Sequence, residues 1–379
     1  MAKTTRSSLL LSLVAVAALS ACAAGVIAQS ALPGVGPNPQ LEKPEDKLIP
    51  IPTVNIAPAD GWPEGATPRA PEGFRVTAFA RGLQHPRWVY TLPNGDVLVA
   101  ESNSPPPKDN AKNVHSEGLR GKAMEWVMKR AGAGVPSADR ITLLRDADGD
   151  GVAEVRTVFM GNLFSPFGMA LVGNELFIAN ADGIVKVPYQ AGQTSIGATP
   201  VKVTDLPAGA NHHWTKNILA SPDGSKLYAT VGSNSNMGDN GMASEEGRAA
   251  IWEVDRATGN KRLFASGLRN PNGLGWEPQT KVLWTVVNER DELGSNLVPD
   301  YLTSVKDGAF YGWPWAYWGQ NVDTRVKPPN PQMVAKSIAP DYGLGAHVAP
   351  LGLAFSDARM PANYASGASI GQHGSWNRK

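Results

Sequence analysis

The stretch HHWTKNILASPDGSKLYATVGSN (residues 212–234) contains a polar loop, a short apolar run, the turn PDG and a second apolar run. The turn PDG is typical of a β-hairpin, because Pro fixes its own backbone angle and Gly accepts a left-handed conformation. The second run, LYATV, consists mainly of the β-branched and aromatic residues that favour strands. The stretch therefore predicts a β-hairpin preceded by a polar loop.

The same arrangement recurs four more times at intervals of tens of residues. The repeats are HPRWVYTLPNGDVLVAES (85–102), SPFGMALVGNELFIANADGIVKVPY (165–189), RNPNGLGWEPQTKVLWTVVNE (269–289) and APLGLAFSDARMP (349–361). Hairpins such as IWEVDRATGNKRLFASG (251–267) add outer strands. Hairpins at this spacing predict a β-propeller rather than a β-sandwich, because each unit begins with a polar loop and such loops converge on one face of a propeller.

The composition agrees with an all-β chain and excludes one class of partner. The 379 residues include 40 Gly, 31 Pro and 11 Trp, so many tight turns are expected. Charged residues make up 18% of the chain, and the formal net charge is +1. A balance this close to neutral argues against nucleic acid as a partner.

Residues 1–28 have the pattern of an export leader. A basic segment precedes the apolar run at residues 9–19, which is too short to span a bilayer. The sequence LSAC then places Cys22, the only cysteine, where a bacterial lipoprotein carries its lipid. Ordinary cleavage after residues 26–28 is the alternative. Both alternatives predict an exported protein, which is periplasmic or membrane-anchored, and lipidation at Cys22 would be its only attachment to the membrane.

The remaining chain divides into a linker and one domain. Residues 29–70 are Pro-rich and irregular, which is typical of a tether or an extended strap. The propeller domain is therefore predicted to span residues 71–379. Within it, residues 116–134 lack strand alternation and predict one helix in an insertion.

Two polar loops carry candidate catalytic residues. His212 and His213 precede the first hairpin, and histidine suits general-base catalysis near neutral pH. Adjacent residues of an extended segment point in opposite directions, so only one of them can face the channel, and two structural histidines remain an alternative. Arg269 lies on a Pro- and Gly-rich loop, where its five donors suit an anion or a quinone. Composition alone favours a solvated arginine there.

Two acidic segments are candidate calcium sites. VNERDELG (287–294) offers many oxygen ligands after a strand, although such a segment is more often a solvated run of charges. A second loop places Asp146, Asp148 and Asp150 at the first, third and fifth positions of an EF-hand pattern. Its twelfth position is Thr157 instead of an acid, so a plain hairpin turn is favoured over a structural calcium ion.

Seven motifs, in order along residues 71–378, are similar to those of the glucose/sorbosone dehydrogenases, most closely the L-sorbosone dehydrogenase-like branch. They are GLQHPRWVYTLPNGDVLVAES, LRDADGDGVAE, NHHWTKNILASPDGSKLYATVGSNSN, SGLRNPNGLGW, NERDELGSNLVPDYLT, FYGWPWAYWG, and HVAPLGLAF with GQHGSWNR. The resemblance implies a six-bladed β-propeller. It also implies a quinoprotein that uses pyrroloquinoline quinone (PQQ) and calcium to oxidise a sugar or sugar aldehyde, with a periplasmic electron acceptor.

The resemblance assigns roles to individual residues. His213 is expected to take the hydroxyl proton of the substrate while hydride leaves for the quinone. Arg269 and Asn270 are expected to bind the cofactor, with Arg269 stabilising negative charge on a quinone oxygen. The carbonyls of Asp291 and Glu292 are expected to hold calcium, which would polarise the quinone.

The C-terminal motif and two departures from the family complete the expectations. Either His373 or Arg378 is expected to contact the cofactor carboxylates. The Asp that orients the histidine in soluble glucose dehydrogenases is missing, so Ser233 or a neighbouring Asn must replace it. The chain stops at Lys379, soon after the last motif, so an incomplete last blade is an alternative to six full blades.

Two other functions remain open. A calcium-dependent lactonase-type hydrolase would need side-chain oxygens on one channel metal, and Glu289, Asn272 and Asn211 could supply them. A non-catalytic propeller would bind a ligand or a partner and would reduce no electron acceptor.

Overall fold

The computed structural model describes residues 32–45, 55, 61–106, 126, 135–357 and 359–378. The predicted leader with Cys22 lies outside these residues, and so does the predicted helix at 116–134 apart from Trp126. Within the described residues, no helix is long and apolar enough to cross a membrane.

The described residues form mainly short β-strands. In chain order the strands are β1 (Val35–Gly36), β2 (Pro86–Thr91), β3 (Val97–Glu101), β4 (Arg140–Arg145), β5 (Val155–Met160), β6 (Met169–Val172), β7 (Glu175–Asn180), β8 (Gly183–Pro188), β9 (Val201–Asp205), β10 (Ile218–Ala220), β11 (Lys226–Val231), β12 (Ala250–Asp255), β13 (Lys261–Ser266), β14 (Asn270–Trp276), β15 (Leu283–Asn288), β16 (Pro299–Ser304), β17 (Ala316–Tyr317), β18 (Asn321–Val322), β19 (Tyr342–Ala346), β20 (Pro350–Phe355) and β21 (Ala368–Gln372). The helix α1 (Pro331–Lys336) and two single 3₁₀ turns, Met242–Glu245 and Ala362–Tyr364, complete the elements.

Four antiparallel sheets of four or five strands are the blades of a propeller. The first blade is β2-β3-β4-β5, the second β6-β7-β8-β9 and the third β10-β11-β12-β13. The fourth is β14-β15-β16-β19-β1, and the two-stranded sheet β20-β21 lies beside its innermost strand, β14. The prediction of an all-β propeller is therefore confirmed, with four blades, whereas the prediction of six blades is not confirmed.

The burial of the strands follows from their place in a blade. The second strands, such as β7 and β11, are buried at almost every position. They lie inside a sheet that has a neighbouring blade on each face, so their sequences consist mainly of apolar residues. The outer strands β5 and β13 keep several exposed positions. Three buried apolar clusters fill the spaces between successive blades.

This topology brings the polar loops together at one end of the blades. In each blade the start of the innermost strand lies beside the end of the second strand, because the two are antiparallel neighbours. In the third blade Ile218 pairs with Ala229, and in the fourth Asn270 pairs with Asn288. The residues just before β10 and β14 and just after β11 and β15 therefore share one face.

The N-terminal segment packs against the fourth blade. Val35 pairs with Leu344 of β19, and the main chain of Glu45 donates a hydrogen bond to Leu293 O at 2.8 Å. Leu41 packs against a small buried cluster that includes Leu293 and Leu297. The domain limits at residues 28 and 70 remain a prediction.

Candidate functional site

The His213 ring is held by one residue, Ser233. His213 lies in the loop before β10, and Ser233 follows β11. Nδ1 of His213 lies 2.8 Å from the carbonyl oxygen of Ser233 and 3.0 Å from its hydroxyl oxygen. The hydroxyl of Ser233 donates its own hydrogen to Ser235 O at 2.7 Å. Both neighbours of Nδ1 are therefore acceptors, so Nδ1 carries the proton and Nε2 presents a lone pair.

The surroundings of His213 keep its ring uncharged. Burial, together with His212, Arg269 and Arg248 nearby, lowers the pKa of His213 well below its ordinary value of 6.5. His212 is exposed, and its ring meets the His213 ring edge-on at 4.6 Å between centroids. The two histidines thus have different environments, and His213 has the features of a neutral base near pH 7.

Arg269, which precedes β14, is almost completely buried at 4% exposure. Nη1 donates to Glu289 O at 2.6 Å, and Nε donates to Asn236 O at 3.3 Å. Nη2 donates to Asn236 Oδ1 at 3.1 Å and to Asp291 Oδ2 at 2.9 Å. Four of the five guanidinium hydrogens are thus used, which fixes the orientation of the positive charge.

The two candidate residues are joined through the main chain. The N–H of Ser233 donates to the carbonyl of Arg269 at 2.7 Å. Gly232 stands between them: a Cβ at this position would lie 2.5 Å from Cβ of His213 and would overlap Asn270 Oδ1. Only a glycine lets the third and fourth blades approach this closely. The structure therefore brings His213, Arg269 and Asn270, which the sequence analysis singled out, to one place.

Asp291 connects Arg269 to a histidine of a different loop. Its Oδ2 pairs with Arg269, and its Oδ1 lies 3.4 Å from Nδ1 of His347. Burial acts to raise the pKa of Asp291, but Arg269 and His347 outweigh it and lower the pKa to about 2. Burial acts to lower the pKa of His347, but Asp291 outweighs it and raises that pKa. Asp291 is therefore an ionised partner of both Arg269 and His347.

The carbonyls of residues 291 and 292, which were predicted to hold calcium, have guanidinium donors. The carbonyl oxygens of Asp291 and Glu292 each accept a hydrogen from a guanidinium group. The carboxylate of Asp291 forms an ion pair with Arg269. A calcium ion at these carbonyls remains a prediction.

The second predicted calcium loop forms a tight turn between β4 and β5. Asp146 accepts from the N–H groups of Gly149 at 2.7 Å and Gly151 at 2.9 Å. Asp148 and Asp150 each accept from the main-chain N–H two residues further on, as in Asx turns. One carboxylate oxygen from each of these three residues and from Glu154 lies within 4.8 Å of the others. The favoured prediction of a hairpin turn agrees with this geometry, and a structural calcium ion there remains a prediction.

The two basic candidates of the last motif do not contact the His213 site. The His373 side chain is exposed and is hydrogen-bonded to none of the described residues. Arg378 donates to Asn296 Oδ1 at 3.5 Å. Between them, Asn377 is buried and approaches Asp291 Oδ1 at 3.5 Å. A role of His373 or Arg378 toward a cofactor remains a prediction.

Most of the side-chain oxygens that a lactonase-type metal would need already accept hydrogen bonds, and Glu289 Oε1 is the exception among those named. Asn211 Oδ1 accepts from Arg248 at 2.9 Å, and Asn272 Oδ1 accepts from Thr215 at 3.4 Å. Glu289 Oε2 accepts from the N–H of Arg290 at 2.9 Å. Burial raises the pKa of Glu289 to about 8, so its carboxyl group is mainly neutral at pH 7. A neutral carboxyl group is a poor metal ligand.

Sequence reasoning missed several residues of this site. Asn236, His347 and the side chain of Asp291 were inside the quoted motifs but received no role. Lys216 was also missed: it is fully buried, its Nζ is 3.5 Å from Trp214 O, and burial and Arg248 lower its pKa well below 10.5. The available signal was position, because each of them lies within a few residues of the channel end of a strand.

Comparison with known protein families supports the motif resemblance. Residues 139–304 match the model of a family described as TrAA12-like, and this range contains His213, Arg269 and Asp291. A protein of Borreliella burgdorferi (strain ATCC 35210 / DSM 4680 / CIP 102532 / B31) described as uncharacterized is 29% identical over 227 residues, which are 57% of this chain and 59% of that protein. The match thus spans less than two thirds of the relative's length.

Solved structures show the same fold. The holo form of the pyranose dehydrogenase PQQ domain from Coprinopsis cinerea is 18% identical, with a TM-score of 0.63 over 82% of this chain and 76% of that chain. The iodide and calcium structures of the Trichoderma reesei Carbohydrate-Active Enzymes Family AA12 protein have TM-scores of 0.63 and 0.62, at 18% and 17% identity. Both cover 88% of this chain, and the coverage of those chains is 82% and 81%.

These similarities confirm the resemblance that the motifs indicated. The structural neighbours include the PQQ domain of a sugar dehydrogenase and the AA12 family, and the family model agrees with them. At identities below a fifth, the structural likeness establishes the propeller fold and leaves the chemistry to be argued from the site.

Proposed function

We propose that this chain is a quinoprotein that oxidises a sugar or sugar aldehyde, of the sorbosone or aldose type, with PQQ as its cofactor. The observation that carries the proposal is the His213 ring, held in one tautomer by Ser233, beside the fixed positive charge of Arg269. A neutral base next to a stationary cation suits removal of a hydroxyl proton while negative charge develops on an electron acceptor.

The residues at the site fit an acidic quinone. Arg269 retains one guanidinium hydrogen beyond the four that are engaged. Asn270 Oδ1 is buried and has no hydrogen-bond partner among the described residues, so a ligand could supply one. Arg87 is exposed and lies over the ring of Trp214, 5.1 Å from its centroid, where it could meet a carboxylate. A protein of the same fold, the pyranose dehydrogenase domain from Coprinopsis cinerea, is a PQQ domain in its holo form, which supports PQQ as the cofactor in this proposal.

Each side chain then has a defined task. Nε2 of His213 accepts the hydroxyl proton of the substrate, while its Nδ1–H stays on Ser233. Arg269 stabilises negative charge, and Asn236, Glu289 and Asp291 hold it in place. The bound quinone supplies a two-electron acceptor for the hydride of the substrate.

The location and the partners belong to the same proposal. The leader at residues 1–28 would export the chain, and a lipid at Cys22 would anchor it to a membrane. Electrons would then pass to a periplasmic acceptor.

The proposal is tested by titrating the purified chain with PQQ and then screening sugars and aldehydes with an artificial electron acceptor. His213→Ala is expected to abolish turnover and to leave PQQ binding within about threefold of the wild type. His212→Ala is the matched control, because the neighbouring ring is exposed, and it is expected to retain most activity. Absence of PQQ binding to folded protein, or full turnover by His213→Ala, would contradict the proposal.

A further inference from the structure

The loop at residues 289–292 has the composition of a calcium site but not its bonding. The carbonyl of Asp291 accepts from Nη1 of Arg290 at 2.6 Å and from Nδ2 of Asn236 at 3.3 Å. The carbonyl of Glu292 accepts from Nη1 of Arg325 at 2.6 Å. A carbonyl oxygen has two lone pairs, so Asp291 O has none left for a metal.

The arginines that occupy these carbonyls are themselves anchored. Arg290 is 2% exposed and forms a buried ion pair with Asp323, with Nε 2.7 Å from Oδ2. Arg325 bridges two segments, because its Nη2 also donates to the carbonyl of Glu45 at 2.8 Å. Moving Arg290 aside would break a buried ion pair, and moving Arg325 aside would break its hydrogen bond to the N-terminal segment, so the carbonyls are not easily freed.

The charges around the loop also disfavour a calcium ion. Arg269, Arg290 and Arg325 all contact this loop, and the Asp291 carboxylate is shared between Arg269 and His347. Calcium binds six to eight oxygens and prefers carboxylates. A divalent cation here would replace guanidinium hydrogens on the same oxygens and would sit among like charges.

We infer that this loop is not a calcium site and that the quinone binds to this chain without calcium, because guanidinium groups supply the fixed positive charge there. The inference rests on the proposed function for its quinone. It departs from the calcium dependence that the motif resemblance implies.

The test compares quinone binding with and without calcium. The chain is freed of metals with a chelator, and PQQ is titrated in chelator buffer and in calcium buffer, with tryptophan fluorescence as the readout. The variant Asp146→Asn/Asp148→Asn is titrated in parallel, so that calcium at the acidic turn cannot contribute. We expect equal dissociation constants within about twofold. Binding that tightens about tenfold or more with calcium in this variant, which corresponds to about 1.4 kcal/mol, overturns the inference.

A direct calcium count separates this inference from the proposed function. Equilibrium dialysis of the same double variant, with and without PQQ, is expected to find no stoichiometric calcium. One calcium ion per chain in either condition overturns the inference. If PQQ binds in neither buffer, the proposed function fails, while the calcium count still decides whether the loop is a metal site.

Discussion

Nδ1 of His213 lies 2.8 Å from the main-chain carbonyl of Ser233 and 3.0 Å from its hydroxyl. The ring is thus oriented by neutral acceptors, whereas the motif resemblance implied a carboxylate at this place. A carboxylate beside an imidazole stabilises its protonated form and raises its pKa, whereas neutral acceptors do so much less. Burial therefore has the largest effect on the pKa of His213, and it keeps the ring unprotonated.

Ser233→Ala should lower kcat only about two- to tenfold. The substitution removes the weaker acceptor and leaves the carbonyl that holds the Nδ1–H tautomer, and one hydrogen bond contributes about 0.5–1.5 kcal/mol. Steady-state kinetics with an artificial acceptor measure the change. A loss as large as that of His213→Ala would show that the hydroxyl, and not the carbonyl, orients the ring.

The activity of the wild type should persist on the acid side of neutrality. A base whose pKa is lowered stays deprotonated at lower pH, so the acid limb of kcat/KM should lie below pH 6.5. A pH series with a substrate that does not titrate in this range provides the measurement. An acid limb above pH 6.5 would mean that another group, or a charged His213, limits the reaction.

Gly232→Ala should disturb both halves of the site. The added Cβ would lie 2.5 Å from Cβ of His213 and against Asn270 Oδ1, so the third and fourth blades must separate there. We expect at least about a tenfold loss in kcat and a lower Tm. Gly161→Ala is the matched control, because a Cβ at residue 161 would meet no atom within 4 Å. Equal behaviour of the two variants would contradict this account.

Arg269→Lys should weaken both function and stability despite keeping the charge. One ammonium group cannot span Glu289 O, Asn236 and Asp291 as the guanidinium does, so buried acceptors lose their donors at a cost of about 1–3 kcal/mol. Chemical denaturation and kcat are the measurements. Arg262→Lys tests the same exchange in an exposed ion pair with Glu253 and Asp307 and should cost less than about 0.5 kcal/mol.

Glu289→Gln should stabilise the fold increasingly as the pH rises. Folded Glu289 keeps its proton to about pH 8, whereas the unfolded chain releases it near pH 4.3. Between these two pH values the unfolded chain has released a proton that the folded chain still holds. The free energy of unfolding of the wild type therefore falls as the pH rises through this range. The glutamine mimics the protonated form and avoids that loss.

Thermal unfolding at several pH values measures this effect. The Tm of Glu289→Gln minus that of the wild type should increase from about pH 5 to about pH 8.5 by at least about 3 °C. Glu246→Gln, at an exposed position, should show no such trend. A difference in Tm that does not change with pH would exclude the raised pKa as its cause.

Local patterns were sufficient to predict the hairpins and the placement of the first candidate residues. The turns PNG and PDG and the runs beside them depend on neighbouring residues only, and they form β2-β3 and β10-β11 as expected. Because polar loops at equivalent ends of antiparallel pairs share a face, His213 and Arg269 could be assigned to one site without knowledge of the register.

The remaining features depend on contacts between distant segments. Asn236 accepts from Arg269 and Asp291, and His347 reaches Asp291 from the loop after β19. The hydrophobic pattern of the sequence does not indicate such contacts. The contact of Arg325 with the Glu292 carbonyl, which was predicted to hold calcium, also comes from another loop and could not be foreseen from the sequence. The strand β1 is two residues long and carries no alternation that could identify it.

That short strand bears on how the protein is made. Val35 pairs with Leu344, so the blade that holds Arg269 and Asp291 is completed by a contact across about 300 residues of chain. Contacts of such long range slow folding. During synthesis, this blade must wait for β19 to emerge although its own N-terminal strand was translated first. The site around Arg269 and Asp291 would accordingly be among the last parts of the molecule to mature.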